Sequence, residues 1–277
     1  MNMFRPGVYL DTFQESFRNK MFLFFFVVSS LVIGSIALAL NMDIVHGVMQ
    51  GVTILGNELQ LQRQMTVPQF ITQVQTGLAM MITTIGLFLA LMATSTLFPL
   101  MLQKGSIDLL LCRPIPRWRL LTARFLGGAT IMAFNAAYLI VGVWFVLGMK
   151  SGIWSRGFPL STIFAIFAFV VLFSMVMMVS VMTENGPAGL LAGYTLLMFS
   201  PVLAAHEQIT PVLTRELYRV IFRTLYWIVP KSAETIGAMR RLIMDRPLAI
   251  EWVVGTSFAF ALACYVVTMI YFTRKDY

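Results

Sequence analysis

Apolar residues in this chain fall in long unbroken runs, not at the spacing of a half-buried helix or strand. Six runs are long enough to cross about 30 Å of hydrocarbon, which takes about 20 helical residues. They lie at residues 21–40, 77–101, 122–148, 159–182, 187–205 and 252–272. Backbone groups in lipid must be satisfied within their own segment, so each run is expected to be an α-helix. The pattern therefore predicts an all-α polytopic membrane protein with six transmembrane helices. Ala37 and Ala39 give the first run an A-x-A ending. Its length exceeds a signal peptide's apolar region, and Asp11 and Glu15 precede it, so a retained anchor is expected.

The segments between the runs carry a second, amphipathic pattern. Within residues 1–20, Pro6 can open a helix with Leu10, Phe13 and Phe17 on one face and Asp11, Gln14, Glu15 and Arg18 on the other. This reads as an interfacial elbow helix lying in the headgroup plane. In residues 41–76, Ile44, Val48, Met49 and Val52 recur at helical spacing, whereas Leu59 alternates with Leu61. Thr183 to Gly186 is expected to be a tight turn with Asn-Gly-Pro chemistry. The long connection, residues 206–250, holds Arg215, Arg219 and Arg223 beside Leu217, Ile221 and Leu225, an amphipathic outer helix. Pro230 ends it, and Ser232 is read as the cap of another short helix carrying Met239, Leu242 and Ile243.

Composition agrees with the runs: 58% hydrophobic, 12% charged and a mean hydropathy of +0.82. Spanning helices share one bundle, so residues 1–277 are read as a single transmembrane domain. The net charge of +8 resides in the connections, which fits a charged bilayer surface and argues against nucleic acid. Arg5, Arg18 and Lys20 precede the first run, which predicts a cytoplasmic amino terminus in a bacterial inner membrane. The 206–250 connection complicates this orientation, because six crossings put its seven basic residues outside. If the fifth run dips in and returns, that connection is cytoplasmic instead and the carboxyl terminus lies outside.

Most chemistry is missing from the pattern. Cys112 and Cys264 are far apart, and His46 and His206 lack metal-ligand spacing, so no metal site is expected. No GxxxxGK[ST] occurs, and Asn185-Gly186-Pro187-Ala188-Gly189 lacks the lysine and hydroxyl of a phosphate loop. Nor is there a Ser/His/Asp set, so no catalytic residue is assigned and the chain is not read as an enzyme. Charge is nearly absent from the runs: Arg124, Glu184 and Glu251 sit at their edges, which argues against an ion-coupled carrier. On the fifth run Ala188, Gly189, Ala192 and Gly193 are small residues at close-packing spacing, with Gly189 and Gly193 the expected helix contact, within the chain or between subunits.

One connection, residues 102–121, is too elaborate for a plain link. It contains KGSIDLLLCRPIPRWR, from Lys104 to Arg119. A short helix from Gly105 to Leu111 would place Ile107, Leu110 and Leu111 on one side and keep Lys104 and Asp108 wet. Such a helix either rests on lipid or enters a groove on a soluble partner, with arginines setting orientation.

The run LQKGSIDLLLCRPIPRWRLLTARFLG, Leu102 to Gly127, resembles the cytoplasmic connection of permeases of type-two exporter ATP-binding-cassette transporters. FQESFRNKMF, Phe13 to Phe22, is similar to their opening elbow, and LYWIVPK, Leu225 to Lys231, to their outer segment before the last span. The flavour is that of the nitrous-oxide-reductase maturation permeases. Two positions depart from the family pattern: Gln103-Lys104 replaces an acidic residue, and Pro116 replaces a small polar one. The resemblance implies that Gly105, Ile107, Leu109, Leu110, Leu111, Arg113, Pro114, Pro116 and Arg117 couple the chain to an ATPase. It further implies two copies of a separate ATPase subunit that bind ATP and magnesium, no cofactor in this chain, and a second permease copy or paralogue. An outer or periplasmic accessory protein and membrane lipid complete the expected partners. The function so implied is movement or extraction of a substrate driven by the partner's ATP hydrolysis. Its alternative is a non-transporting scaffold that transmits an ATPase-driven shape change to outer partners.

Overall fold

The computed structural model describes residues 21–45, 48–54, 57–59, 67–102, 116–210, 216–248 and 250–275. The elbow, residues 1–20, and the proposed docking helix, Gly105 to Leu111, lie outside the described residues. The chain runs through α1 (Met21–Ala39), β1 (Leu40–Val45), β2 (Val48–Ile54), β3 (Asn57–Leu59), α2 (Val67–Thr94) and α3 (Leu97–Leu102). It continues through α4 (Arg117–Ser151), α5 (Gly157–Leu160), α6 (Thr162–Thr183), α7 (Gly186–Ala204) and α8 (His206–Ile209). The last elements are α9 (Glu216–Ile228), α10 (Ser232–Ile243) and α11 (Glu251–Arg274).

Five segments are long and apolar enough to cross a membrane: Ile71–Leu102, Arg117–Ser151, Gly157–Thr183, Gly186–Ala204 and Glu251–Arg274. They coincide with the second to sixth apolar runs. The first run forms α1, a 19-residue helix whose apolar stretch Leu23–Leu38 is shorter. The helix α2 starts at Val67, ahead of the expected boundary at 77, with Pro68 in its first turn, where a missing N–H costs nothing.

The described elements are helical as expected, except for a small sheet in residues 40–59. The sequence leaves this segment open between the helical spacing of Ile44, Val48, Met49 and Val52 and the alternation at Leu59; β1, β2 and β3 form an antiparallel sheet in that order. Leu40 pairs with Ile54 and Val45 with Val48, with a register shift at Asp43/Ile44, and Ile54 pairs with Asn57. The physical reason is side-chain shape: Ile44, Val45, Val48, Val52, Thr53 and Ile54 are β-branched and prefer a pleated surface.

The core is built around α6, which is apolar on every side and so has no wet face to keep. It packs against α2, α4, α7, α10 and α11. Its fully buried Phe173 stacks on Phe125 and Phe169, with ring centroids 5.2 Å away in each case. Gly189 and Gly193 set α7 close against α6. A Cβ on Gly189 would sit 2.7 Å from the Val176 carbonyl oxygen, and one on Gly193 would sit 2.6 Å from Val176 Cγ2. Only a residue without a Cβ tolerates neighbours this near, so both glycines serve a contact inside the chain.

Hydrogen bonds between helices define the two ends of the bundle. Ser29 Oγ donates to Asn135 Oδ1 at 2.8 Å, and Lys150 Nζ reaches the Ala37 carbonyl, so α1 runs parallel to α4. At one end Arg117 Nη1 donates to the Lys275 carbonyl at 2.6 Å. At the other, Ala233 N–H donates to Ser200 Oγ at 2.7 Å and Lys231 N–H to Ser257 Oγ at 3.1 Å. The helix α7 leaves the Glu184 turn at the Lys275 end and reaches Ser200 at the Lys231 end. A fifth run that dips in and returns does not describe this helix. The connection with α9 and α10 therefore lies opposite the carboxyl terminus.

Candidate functional site

At the Lys275 end, three chain segments meet: the start of α4, the turn between α6 and α7, and the end of α11. Lys275 Nζ pairs with Glu184 Oε1 at 2.6 Å and donates to Tyr271 Oη at 3.2 Å. Tyr271 Oη in turn donates to the Met182 carbonyl at 3.3 Å. Glu184 occupies the left-handed region, with φ 54° and ψ 22°, whereas Asn185 is extended at φ −128°. The left-handed position in this turn falls to a glutamate, not to the neighbouring asparagine or glycine that prefer such geometry. The Lys275 ion pair holds that glutamate side chain in place.

The connection 103–115 leaves from Leu102 and returns at Pro116 at this same end. Its feet are anchored deeply. Leu97, Phe98, Met101 and Leu102 of α3 are buried, as are Leu120, Leu121 and Arg124 of α4. Pro116 caps α4 with an extended backbone, φ −62° and ψ 138°, which its ring favours. Of the residues expected to couple to an ATPase, the structure places Pro116 and Arg117 here. Gly105, Ile107, Leu109, Leu110, Leu111, Arg113 and Pro114 lie outside the described residues, as does Cys112.

The Lys231 end holds a feature that sequence reasoning misses. Lys231 is 4% exposed, and among the described residues its Nζ has no hydrogen-bond partner. Three rings face the ammonium instead: Tyr226 with its centroid 4.3 Å away, Trp252 at 5.4 Å and Trp227 at 5.8 Å. Ring faces carry negative potential, so they replace part of the lost hydration. Burial pushes the Lys231 pKa below its ordinary value, against the opposing pull of Glu234. His206 stacks on the same Tyr226, with centroids 3.8 Å apart. The signal available in sequence is the Tyr226-Trp227 pair three residues before Pro230-Lys231, together with Trp252 at the start of the last run.

The helices flanking Lys231 differ. The helix α9 buries none of its residues, while α10 inserts Thr235, Ile236, Ala238, Met239 and Ile243 between α2, α6 and α7. Ser232 does not cap α10 as expected. Lys231 holds the cap position, Ser232 Oγ makes no hydrogen bond among the described residues, and Thr235 Oγ1 donates to the Lys231 carbonyl at 3.0 Å. Among the described residues no three His, Cys, Asp or Glu side chains converge to hold a metal ion.

A bundle of apolar spanning helices, with polar structure concentrated at its two ends, defines an integral membrane protein. Its particular kind follows from a family comparison: the family described as ABC-2 family transporter protein matches residues 8–277, and the chain belongs to it. It is therefore a transmembrane permease of an ABC transporter. No curated protein matches the chain.

Proposed function

We propose that the chain forms half of a transporter's membrane portion, pairing with a second permease copy or paralogue and with two ATPase subunits docked beneath residues 102–121. In this reading ATP and magnesium belong to the ATPases, and the chain itself carries no cofactor. The observation that supports it most is the anchoring of both feet of the 103–115 connection. Leu102 on one side and Leu120 and Leu121 on the other are buried, so a push on the connection reaches α3, α4 and the Phe173 stack without being absorbed at the surface. The expected docking contacts are those of Leu109, Leu110 and Leu111, each worth about 1.5–3 kcal/mol if fully buried in a partner groove.

The reading includes six crossings of the bacterial inner membrane with the Lys275 end in the cytoplasm. It is supported by α1 running parallel to α4, which carries the chain from one end to the other ahead of the sheet. The Lys231 end then faces outward, with the arginines of α9 among lipid headgroups. Within the family, the reading favours the nitrous-oxide-reductase maturation group, on the strength of the Leu102 to Gly127 resemblance.

Leu110→Asp tests the docking role. The variant is expected to insert in the membrane normally and to lose the ATPase on co-purification; retention of the ATPase overturns the assignment. Topology is tested by Arg219→Cys in a chain whose own cysteines are replaced. Labelling from outside intact cells supports six crossings, and protection there refutes them. Substrate flux in proteoliposomes with the ATPase present separates transport from a purely mechanical role.

A further inference from the structure

A cavity of about 360 Å³ lies among α1, α2, α4 and α6. That volume is within the range of small-molecule sites. Among the described residues, the polar side chains lining it are Ser29, Ser35, Thr83 and Asn135, and none that lines it is charged. Met81 and Ile85, which line it, are 62% and 48% exposed, so the cavity is reached from the outer face of the bundle.

The polar groups are not decoration on an apolar crevice. On α2, Thr76, Thr84 and Thr94 each turn the hydroxyl back onto the carbonyl four residues earlier, at 2.7–2.8 Å. This is the ordinary way to satisfy a hydroxyl in an apolar helix. Thr83 does not do so. It is 4% exposed, and among the described residues its Oγ1 has no hydrogen-bond partner. Leaving a hydroxyl unpaired in such surroundings is unfavourable. Across the cavity Asn135 accepts from Ser29 through its carbonyl oxygen, which leaves the N–H₂ group as a donor.

Depth identifies the class of molecule. Thr83 falls near the middle of the span Ile71–Leu102, and Asn135 near the middle of Arg117–Ser151. At that depth a resident phospholipid offers only the ends of its tails, which cannot bond a hydroxyl or an amide. An ion is disfavoured because no charged residue among those described lines the cavity. We propose that this cavity binds an uncharged, mainly apolar molecule carrying a hydroxyl, ketone or amide group, which hydrogen-bonds to Thr83 and Asn135. The proposal concerns binding and does not depend on docking of an ATPase, so the two can fail separately.

Gly86 supplies the decisive variant. It lines the cavity, and a Cβ added there meets nothing within 4 Å. Gly86→Leu therefore fills the space while improving helix propensity, and Thr83→Val removes the hydroxyl at nearly constant shape. The probe is a diazirine-bearing octan-1-ol, photolysed with the purified chain in phosphatidylcholine nanodiscs, with octan-1-ol, octane and octanoate as competitors. Saturable labelling on α2 and α4 is expected, with octan-1-ol displacing the probe about three- to tenfold better than octane, as one hydrogen bond allows. Gly86→Leu is expected to abolish the saturable component, and Thr83→Val to shrink the advantage of octan-1-ol over octane to what the Asn135 N–H₂ group alone supplies. Three outcomes overturn the proposal. The first is labelling spread evenly over the exposed residues Leu31 and Leu191. The second is equal competition by octane in the unaltered chain, which marks a crevice for lipid tails. The third is persistence of saturable labelling in Gly86→Leu, with native mobility on size exclusion confirming the fold.

Discussion

Lys231 and Lys275 are the same residue type at opposite ends of the bundle, and they are solvated in opposite ways. Lys275 is 30% exposed on its side chain and meets the carboxylate of Glu184, itself 49% exposed, at 2.6 Å. Lys231 is almost completely enclosed and faces three aromatic rings instead of an anion. Water can replace the partner of the first lysine but not that of the second. The Lys275 end is accordingly a place where charge can be rearranged cheaply. The Lys231 end is a fixed joint, where α9, α10 and α11 are held by one desolvated cation and by backbone bonds to Ser257 and Ser200.

Reversing the charge at the joint should have the largest effect. Lys231→Glu places an anion against ring faces and beside Glu234, and is expected to destabilise by about 3–5 kcal/mol, the scale of a buried charge left uncompensated. Unfolding in mixed micelles measures it, and a loss below about 1 kcal/mol would mean that the site is wet. Ser257→Ala comes next. It strips the partner from the Lys231 N–H, and leaving a buried donor unmade costs about 1–3 kcal/mol by the same measurement.

Lys231→Met sharpens the comparison through pH. In the folded protein Lys231 holds its proton less tightly than in the unfolded chain. Between the two pKa values the unfolded chain binds more protons, so stability rises with pH through that window. This contribution is complete above the unfolded value, about 10.4, and is lost as pH falls through the lowered folded value. Lys231→Met is expected to remove that rise in the difference between the two proteins, with stability at neutral pH within about 1 kcal/mol because cation–π attraction and desolvation offset each other. The smallest effects belong to Glu184→Gln and Lys275→Met, each expected at about 0–1 kcal/mol, since the pair is exposed. A double-mutant cycle on them above about 2 kcal/mol would show that the Lys275 end is as dry as the other.

Much of the architecture is legible in the amino-acid order. The apolar runs mark α1, α4, α6, α7 and α11 to within a few residues, and the spacing of Arg215, Arg219 and Arg223 with Leu217, Ile221 and Leu225 anticipates α9. Helical spacing misleads in residues 40–59, because four apolar residues fall at that spacing by chance in a segment rich in β-branched residues, which carry the better signal. The expected cap at Ser232 fails for a related reason. Its residue type suits the role, but the chain enters α10 one residue earlier, at Lys231.

The candidate sites divide along the same line. The connection 102–121 stands out because its density of leucine, proline and arginine is local to a short stretch. Lys231 reads in the sequence as a positive charge and as the end of the LYWIVPK stretch, neither of which shows that it is dry, and Thr83 carries no signal at all. Which segments dissolve in a bilayer follows from residue order alone, because apolar length and internal backbone bonding are properties of each segment taken separately. Which lysine is dry, and which threonine hydroxyl is left without its usual carbonyl beside a cavity, follow only from how the helices pack. Dehydration of Lys231 needs the Trp252 ring, and the cavity beside Thr83 needs walls from α1, α4 and α6, positions that the chain order keeps apart.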